Sequence, residues 1–489
     1  MRLTTLCCLT LITLTSPSFA DWPQFRGENS SGIATGKVPT EFGPGKNELW
    51  SVPLASGHSS PCIVGDSIFL TTFEADDKKL AVVCLSKADG IVRWQRDVPI
   101  EKVEKGHPSF NPASSSPASD GERVVAYFGS YGLICFDMDG EKLWDKKLPL
   151  TESYAGNATS PAIFGDKVIL YRGNKVDHFL LAVNKENGEQ IWKIEQDEPF
   201  KPELACTACP IAVDGKLIMH TARSVQAFDI ESGEQIWATK CATTATSTPV
   251  VAGDEVIVAA WNKMGEPALR PTFPAFDELV ADNDEDNNKL VSKGEFPSLW
   301  IFHRPDGAEA PHNGAPLSFR SADKNRDGEL DADEWKSKLD DIEKWRSGYQ
   351  NHGLLAIPID SKGVVDLKDV RTLEKQGIPE VPSPIYHDGI VYLIKNGGVL
   401  SCVNVEQGKR VSKVRTKGKG THYASPIIAD AKLFSTAGDG TISVLSLGEK
   451  PKILAVNPMG ERTYATPAIV DGTLYVRTHS RLYAFAESD

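Results

Sequence analysis

The 489-residue sequence lacks an apolar run long enough to cross a membrane. The clearest one, Leu3–Leu14, is shorter than the ~20 residues that a spanning helix needs. It follows Arg2 and precedes a Ser-Phe-Ala sequence that is typical of a cleavage site, so residues 1–20 are predicted to be a cleavable signal peptide. We therefore expect an exported protein, periplasmic or secreted, with no transmembrane segment and a mature chain that starts near Asp21.

Positive charge and paired cysteines are also scarce. The formal net charge of −13 leaves no excess of basic residues for a nucleic-acid or anionic-lipid surface, so proteins, small molecules and cations are the expected partners. The cysteines after residue 20 are odd in number and scattered, which is not a disulfide framework. The CxxC pair at 206 and 209 has no second pair for zinc and no following histidine for haem attachment, so we interpret these residues as structural thiols. The seven are Cys62, Cys84, Cys135, Cys206, Cys209, Cys241 and Cys402.

A repeated dipeptide gives the strongest signal in the sequence. A Ser or Thr, once a Cys, precedes a Pro and a short apolar run, and the prolines are 39 to 56 residues apart except for one interval of 135. Each unit contains four short apolar stretches separated by turn residues, which is the pattern of a propeller blade. Eight blades are therefore predicted, the fifth of them with an insertion. The eight dipeptides are Ser60-Pro61, Ser116-Pro117, Ser160-Pro161, Cys209-Pro210, Thr248-Pro249, Ser383-Pro384, Ser425-Pro426 and Thr466-Pro467.

A tryptophan follows four of the predicted hairpin glycines by four residues. These are Trp94, Trp144, Trp192 and Trp237, and Ser412 takes the corresponding place in a fifth hairpin. Large aromatic residues at this position are expected to pack between neighbouring sheets rather than to bind a cofactor. The chain ends on a third strand, Leu482–Phe485, and a strand at 48–53 precedes the first repeat. We therefore expect the N-terminal strand to complete the eighth blade and so to remove an exposed sheet edge.

These blades resemble those of the pyrroloquinoline-quinone-like repeat propellers, a group that includes quinoprotein dehydrogenases and the outer-membrane assembly factor BamB. The sequence Asp-Trp-Pro-Gln-Phe-Arg-Gly at 21–27 is similar to the start of exported propellers of this type in planctomycete-like bacteria. The resemblance implies an all-β, eight-bladed propeller over residues 48–489, after an extension at 21–47. It does not imply one activity, because this fold serves many functions.

The insertion, residues 265–347, contains a twelve-residue segment with the spacing of an EF-hand calcium loop. Alternate residues carry oxygen ligands, a glycine at 328 allows the sharp turn, and a glutamate at the twelfth place can give two oxygens. An acidic surface turn is the alternative interpretation. The predicted Ca²⁺ ligands are Asp323, Asn325, Asp327, Glu329 through its carbonyl, Asp331 and Glu334.

An earlier segment has the same spacing with one departure. Lys289 stands where the loop normally has glycine, and Pro297 shortens any exit helix, so this loop is either a second calcium site or a degenerate partner of the first. Two such loops are expected to pair through a short β-contact. After the later loop, a helix is predicted at 332–345, with an apolar stripe of Trp335, Leu339, Ile342 and Trp345. The predicted ligands of the earlier loop are Asp284, Asp286, Asn288, Ser292 and Glu295.

Polar residues lie shortly before several of the Ser-Pro motifs. Strand direction alternates along a blade, so these residues should surround the channel mouth on the face that carries the insertion. We predict a binding face there; the alternative is that these side chains only satisfy backbone groups. The candidates are His58, His107, Asn111, Asn157, Thr243, His422 and Arg462.

Two functions remain open from the sequence: a calcium-binding scaffold or binding module, and a quinoprotein dehydrogenase that oxidises an alcohol or sugar. The resemblance implies adjacent cysteines over the quinone in the dehydrogenases, whereas the adjacent pair here, Cys7 and Cys8, lies in the predicted signal peptide. Nor is there a Gly-rich phosphate loop or a convincing Ser-His-Asp set. We therefore expect Ca²⁺ and not pyrroloquinoline quinone as the cofactor, and a binding role.

Overall fold

A computed structural model describes residues 21–198, 207–241, 243–244, 246–262, 265–303, 314–347 and 351–487. The predicted signal peptide and Cys206 lie outside these residues. No described helix is long and apolar enough to cross a membrane. Eight sheets, seven of four antiparallel strands and one with a fifth strand added in parallel, form the propeller, and these sheets are the eight predicted blades.

The N-terminal strand and the first four blades account for the first half of the fold. Strand β1 spans Glu48–Pro53 and pairs with the last strand of the chain. Blades one and two contain Cys62–Val64 (β2), Ser67–Glu74 (β3), Lys79–Ser86 (β4), Val92–Val98 (β5), Ala118–Ser119 (β6), Arg123–Phe128 (β7), Gly132–Asp137 (β8) and Lys142–Lys147 (β9). Blades three and four contain Ala162–Phe164 (β10), Lys167–Gly173 (β11), His178–Asn184 (β12), Gln190–Glu195 (β13), Ile211–Val213 (β14), Lys216–His220 (β15), Ser224–Asp229 (β16) and Gln235–Lys240 (β17).

Blade five is interrupted between its second and third strands. Its first strands are Val250–Ala252 (β18) and Glu255–Ala260 (β19). The insertion follows with Phe276–Asn283 (α1), Val291–Ser292 (β20), Leu299–His303 (β21), Gly314–Leu317 (β22), Phe319–Ala322 (α2), Glu329–Leu330 (β23) and Ala332–Ser347 (α3). The blade then resumes with Gly353–Pro358 (β24), Gly363–Val364 (β25), which adds to blade four in parallel with β17, and Arg371–Glu374 (β26).

The last three blades close the circle. They contain Ile385–His387 (β27), Ile390–Lys395 (β28), Val399–Asn404 (β29), Lys409–Arg415 (β30), Ile427–Ala429 (β31), Lys432–Thr436 (β32), Thr441–Ser446 (β33), Ile453–Pro458 (β34), Ala468–Val470 (β35), Thr473–Arg477 (β36) and Arg481–Phe485 (β37). Strand β1 pairs antiparallel with β37, with Val52 opposite Leu482. The predicted closure of blade eight by the N-terminal strand is therefore confirmed.

The Ser-Pro motifs form a closed ring of hydrogen bonds around the propeller axis. The backbone N–H of each motif residue donates to the side chain of the equivalent residue in the next blade, as from Ser60 to the Oγ of Ser116 at 2.9 Å. The thiol of Cys209 takes the hydroxyl place in blade four and accepts from the Ser160 backbone. This chemistry explains the repeated Ser or Thr, because the buried N–H before each proline needs a side-chain acceptor.

The tryptophans of the fourth strands join neighbouring blades, as predicted. The indole Nε1 of Trp94 donates to the carbonyl oxygen of Met138 at 2.8 Å, and its ring lies against Gly140 in the hairpin of the next blade. A Cβ at Gly140 would lie 2.7 Å from that ring, so the hairpin requires glycine. Ser412, in the tryptophan place, keeps the donation with its Oγ to the carbonyl oxygen of Glu449.

Residues 21–47 cross the channel and pair with the innermost strands of several blades. Its backbone groups and the side-chain amide of Asn29 form hydrogen bonds with blades one, two, four and seven in turn. The contacts are Trp22 N–H to the Ile63 oxygen at 2.7 Å, Ser119 N–H to the Pro23 oxygen at 2.8 Å, Asn29 Nδ2 to the Ala212 oxygen at 2.7 Å, and Ala34 N–H to the Ile428 oxygen at 2.9 Å. We call residues 21–34 the N-terminal plug, because they lie beneath the axial cavity described below.

Candidate functional site

A cavity of about 270 Å³ lies on the propeller axis above the N-terminal plug. Phe25 of the plug and seven of the eight motif residues line it. Each ring hydroxyl accepts a backbone N–H and can also donate its own O–H, as Ser160 does to the sulfur of Cys209. The ring members in the lining are Ser60, Ser116, Ser160, Cys209, Ser383, Ser425 and Thr466.

Aromatic side chains form the walls of the cavity. His58 lies edge-on to Tyr464, with ring centroids 5.1 Å apart, and Tyr423 packs against the same tyrosine at 5.1 Å. His107 and Tyr154 form a second pair at 5.5 Å. Glu380 is the carboxylate among the described lining residues. A donor-bearing floor and aromatic walls suit a polar ligand with a flat or ring-shaped body.

Two of the sequence candidates, His58 and His107, line this cavity. Burial lowers the pKa of His58 to about 3, and the cations Arg477 and Arg462 and the side chain of His479 add to this effect, so the imidazole is neutral at physiological pH. Its role in binding stays a prediction. The low pKa results first from burial and then from nearby positive charge, which the sequence pattern did not indicate.

The remaining candidates lie around the cavity without lining it. Asn111 and Asn157 are buried, and their Nδ2 atoms donate at 3.2 Å to Ser56 Oγ and Ser115 Oγ, respectively. Thr243 and His422 are also buried, and burial lowers the pKa of His422 to about 4. Arg462 lies over the Tyr464 ring at 5.2 Å, next to the cavity wall.

The loops at 284–295 and 323–334 in the insertion have the same backbone course. Lys289 takes a φ of 66°, in the left-handed region in which Gly328 at the same loop position has 93°. Asn287 and Arg326 are also left-handed at a shared position. The lysine therefore adopts the turn that normally calls for glycine, at a cost in backbone strain.

Acidic side chains occupy predicted ligand positions in both loops. In the earlier loop, oxygens of Asp284, Asp286 and Glu295 lie within 4.8 Å of one another. In the later loop, the Oε1 of Glu334 accepts from the backbone N–H groups of Lys324 at 2.9 Å and Asn325 at 3.0 Å, which draws the twelfth residue over the start of the loop. Each arrangement presents oxygen atoms of the kind that Ca²⁺ binds.

The two loops are joined as the sequence predicted. Strands β20 and β23 pair antiparallel, with Val291 opposite Leu330. Helix α3 covers the predicted 332–345 and extends to Ser347, and Trp335 and Ile342 of its stripe are buried in the insertion's own core. Trp345 is 43% exposed, less buried than the stripe suggested, because the core ends at Ile342.

A buried glutamate ties the insertion to the propeller near the cavity. Glu266 accepts from the backbone N–H of Gly377 at 3.0 Å and lies 3.2 Å from the Nε2 of His352. Burial opposes its ionisation, but the hydrogen bonds from His352 and the backbone dominate and lower the pKa of Glu266. Gly377 belongs to the segment that leads to Glu380 and Ser383 in the cavity lining. The insertion and the cavity mouth therefore share one face.

The described cysteines fit structural roles. Cys62, Cys84, Cys135, Cys209, Cys241 and Cys402 are buried free thiols. Burial raises the pKa of Cys62 and of Cys241, so these thiols are protonated. The sequence interpretation of small buried strand residues is confirmed for Cys62, Cys84, Cys135 and Cys402, whereas Cys209 and Cys241 are buried outside strands.

The fold and the ring define an eight-bladed β-propeller with an axial cavity and an insertion beside its mouth. The family model described as outer membrane protein assembly factor BamB matches residues 35–265. The chain thus resembles the pyrroloquinoline-quinone-like repeat propellers in its sequence over residues 35–265 and in its eight-bladed fold.

Solved structures share this fold at low sequence identity. A europium-containing methanol dehydrogenase is 10% identical with a TM-score of 0.56, and the match covers 96% of this chain and 98% of that chain. A quinohemoprotein alcohol dehydrogenase from Comamonas testosteroni is 12% identical with a TM-score of 0.55, and the match covers 96% of this chain and 81% of that chain. No curated protein matches the sequence. At such identities these likenesses concern the fold alone.

Proposed function

We propose that this chain is an exported, calcium-binding propeller that acts as a binding module for a protein or small molecule at the face that carries the insertion. One observation carries the proposal: two loops with left-handed residues at the same positions pair through β20 and β23, and the carboxylates of the earlier loop lie within 4.8 Å of one another. Carboxylates brought this close without a cation would repel one another, so a bound divalent ion is the simplest compensation.

The residues present fit Ca²⁺. In the later loop, the ion would be held by oxygens from Asp323, Asn325, Asp327, Asp331 and Glu334 and by the carbonyl of Glu329. In the earlier loop, Asp284, Asp286, Asn288, Ser292 and Glu295 would hold it. Calcium supplies charge neutralisation and a fixed loop geometry, and extracellular sites of this kind work at ~10⁻⁴ to 10⁻³ M calcium. A structural rather than a signalling role follows.

Export and partner binding form the remaining parts of the proposal. The signal-peptide pattern at 1–20 supports export, and the match to a family described by an assembly factor supports a protein partner. The hydrogen bonds of Glu266, which hold the insertion against the segment that leads into the cavity lining, support this face as the binding position.

The cavity lining fits a calcium-bound quinone poorly. No tryptophan stands in the described lining as a stacking surface, and Glu380 is a single carboxylate where a metal beside the quinone would need several oxygens. Cys209 has no adjacent cysteine in the sequence. A quinoprotein dehydrogenase is therefore the alternative function, and no catalytic step is derived for it.

Calcium titration of the chelator-stripped mature protein tests the calcium-binding part of the proposal. We expect two calcium ions per chain, with Asp323→Asn weakening one site at least tenfold and Asp284→Asn weakening the other. Asp333→Asn is the matched control, because Asp333 is exposed in the same loop at a place that provides no ligand. Absence of binding at millimolar calcium would refute the calcium part of the proposal.

The enzymatic alternative has its own test. The calcium-loaded protein is incubated with pyrroloquinoline quinone and a panel of alcohols and sugars, and reduction of an artificial electron acceptor is followed. We expect no substrate-dependent reduction. Turnover that needs both the quinone and an alcohol or sugar would replace the binding module by a dehydrogenase.

A further inference from the structure

Two buried arginines lie close to the cavity, outside the residues that line it. Arg26, in the N-terminal plug, and Arg477, in strand β36, are among the largest fully buried side chains, at 0% and 1% exposure. Neither has a carboxylate partner among the described residues, although buried cations are normally paired. Burial lowers the pKa of each to about 9, so both still carry a charge at neutral pH.

Several hydrogen-bond donors of Arg26 are unused. Its Nη2 donates at 2.9 Å to the carbonyl oxygen of Pro384, next to Ser383 in the cavity lining. Its Nε and Nη1 are buried without a partner. The backbone of Arg26 is left-handed, with φ of 61°, a conformation that is strained for a residue other than glycine. The fold therefore keeps the Arg26 guanidinium buried under the ring, although two of its nitrogen atoms have no hydrogen-bond partner.

Arg477 lies behind the opposite part of the lining. Its Nη1 donates at 3.2 Å to the carbonyl oxygen of Ser59, the neighbour of the ring residue Ser60, and its Nε is also without a partner. Its charge acts on His58, whose pKa it helps to lower. Two buried cations thus bond to the residues next to the ring members Ser383 and Ser60, outside the cavity lining itself.

We propose that the cavity floor binds the oxyanion group of a small organic acid, with ring hydroxyls donating to its oxygens and Arg26 and Arg477 providing the countercharge. The aromatic walls formed by His58, Tyr423 and Tyr464 would pack against the ring of a sugar acid. Cations in a low-dielectric setting stabilise a nearby anion far more strongly than they would in water. Glu380 provides the opposing charge in the lining, so the ligand's carboxylate belongs at the floor, close to the ring.

Isothermal titration with three probes tests the proposal. Glucuronate and glucose differ by one carboxylate, and inorganic phosphate offers an oxyanion without a sugar body. We expect glucuronate to bind at least tenfold more tightly than glucose. Phosphate as tight as glucuronate would assign the site to inorganic oxyanions, while weaker phosphate would assign it to organic acids. Equal binding of glucose and glucuronate, or no binding of glucuronate and phosphate, would overturn the proposal.

Variants separate the charge from the fold. Arg26→Gln should weaken glucuronate at least tenfold and leave glucose unchanged, and Arg26→Lys should retain part of the affinity. If Arg26→Gln does not fold, the single hydroxyl changes Ser116→Ala in blade two and Ser425→Ala in blade seven provide the readout, with an expected three- to tenfold loss each. Retained affinity in all of these variants would contradict the proposal. The titrations are made with and without calcium, because this site does not depend on the insertion loops.

Discussion

The backbone N–H of Thr466 donates to the Oγ of Ser60 at 3.1 Å, although 406 residues separate them in the sequence. This bond joins the last blade to the first and completes the ring. The two residues are close in space but lie at the two ends of the repeat array. The closed ring therefore holds eight blades and positions the first strand of each.

Loss of one ring hydroxyl should destabilise the propeller. Ser60→Ala leaves the Thr466 N–H buried without an acceptor, which costs about 1–3 kcal/mol. The free energy of unfolding in urea measures this effect. Ser60→Thr is the control, because Thr466 and Thr248 already occupy ring positions, and it should behave like the unchanged protein. Equal stability of the alanine and threonine variants would argue against a ring contribution.

Each tryptophan between neighbouring blades should contribute more to the free energy of unfolding than a ring hydroxyl does. Trp237 is 0% exposed, so Trp237→Ala creates a cavity and removes the hydrogen bond to the Ile359 oxygen at 3.0 Å. We expect a loss of about 3–5 kcal/mol. Trp345→Ala, at 43% exposure in the insertion, is the comparison and should cost less than half as much. Urea unfolding followed by fluorescence and by circular dichroism distinguishes the two, and similar losses would contradict the prediction.

Replacement of Lys289 by glycine should strengthen calcium binding by the earlier loop. Because Lys289 occupies the left-handed conformation, Lys289→Gly relieves strain of about 1 kcal/mol. We expect tighter calcium binding by the earlier loop, up to about fivefold, in a calorimetric titration. Lys293→Gly changes a lysine of the same loop that lacks a positive φ, so it should not improve the affinity. A weaker site after Lys289→Gly would show that the loop gains nothing from glycine.

Stability should fall with rising pH because of Glu104. Burial raises the pKa of Glu104 from its ordinary value of 4.5 to about 8, against the opposing effects of the Thr151 hydroxyl and Arg172. The folded state then binds more protons than the unfolded state between these two pH values. The free energy of unfolding should decrease through that window, with a slope of at most about 1.4 kcal/mol per pH unit.

Glu104→Gln isolates this effect. The amide is neutral throughout, so the variant should lose this part of the pH dependence and exceed the parent in stability near pH 8. Glu101→Gln, an exposed neighbour, should leave the pH profile unchanged. Unfolding measured in urea from pH 5 to pH 9 gives the comparison, and identical profiles for Glu104→Gln and the parent would exclude the assignment.

The sequence predicted the blades, their closure and the β-contact between the insertion loops, because each depends on a short repeated pattern. Ser-Pro motifs, hairpin glycines and tryptophans recur at fixed offsets, so their positions predict where the strands of each blade lie. The N-terminal plug had no such signal. Arg26 reaches Pro384, which is 358 residues away, and nothing near either residue indicates that they meet.

The cavity was only partly predictable for the same reason. His58 and His107 were found because they precede motifs of the repeat, whereas Asn111 and Asn157, chosen on the same ground, bond to neighbouring serines instead of lining the cavity. Tyr423, Tyr464 and Arg477 contribute through packing of distant blades. Their contribution depends on tertiary contacts that a single sequence does not encode locally.

The direction of the ring bonds has a topological consequence. Every bond runs from the N–H of one blade to the side chain of the next, so the circle has no terminal donor and no terminal acceptor. No blade is first in this network, so the ring of hydrogen bonds does not depend on where the covalent backbone begins and ends. A circularly permuted chain, opened in the exposed hairpin near Glu449 and joined between residues 487 and 21, would preserve every ring bond.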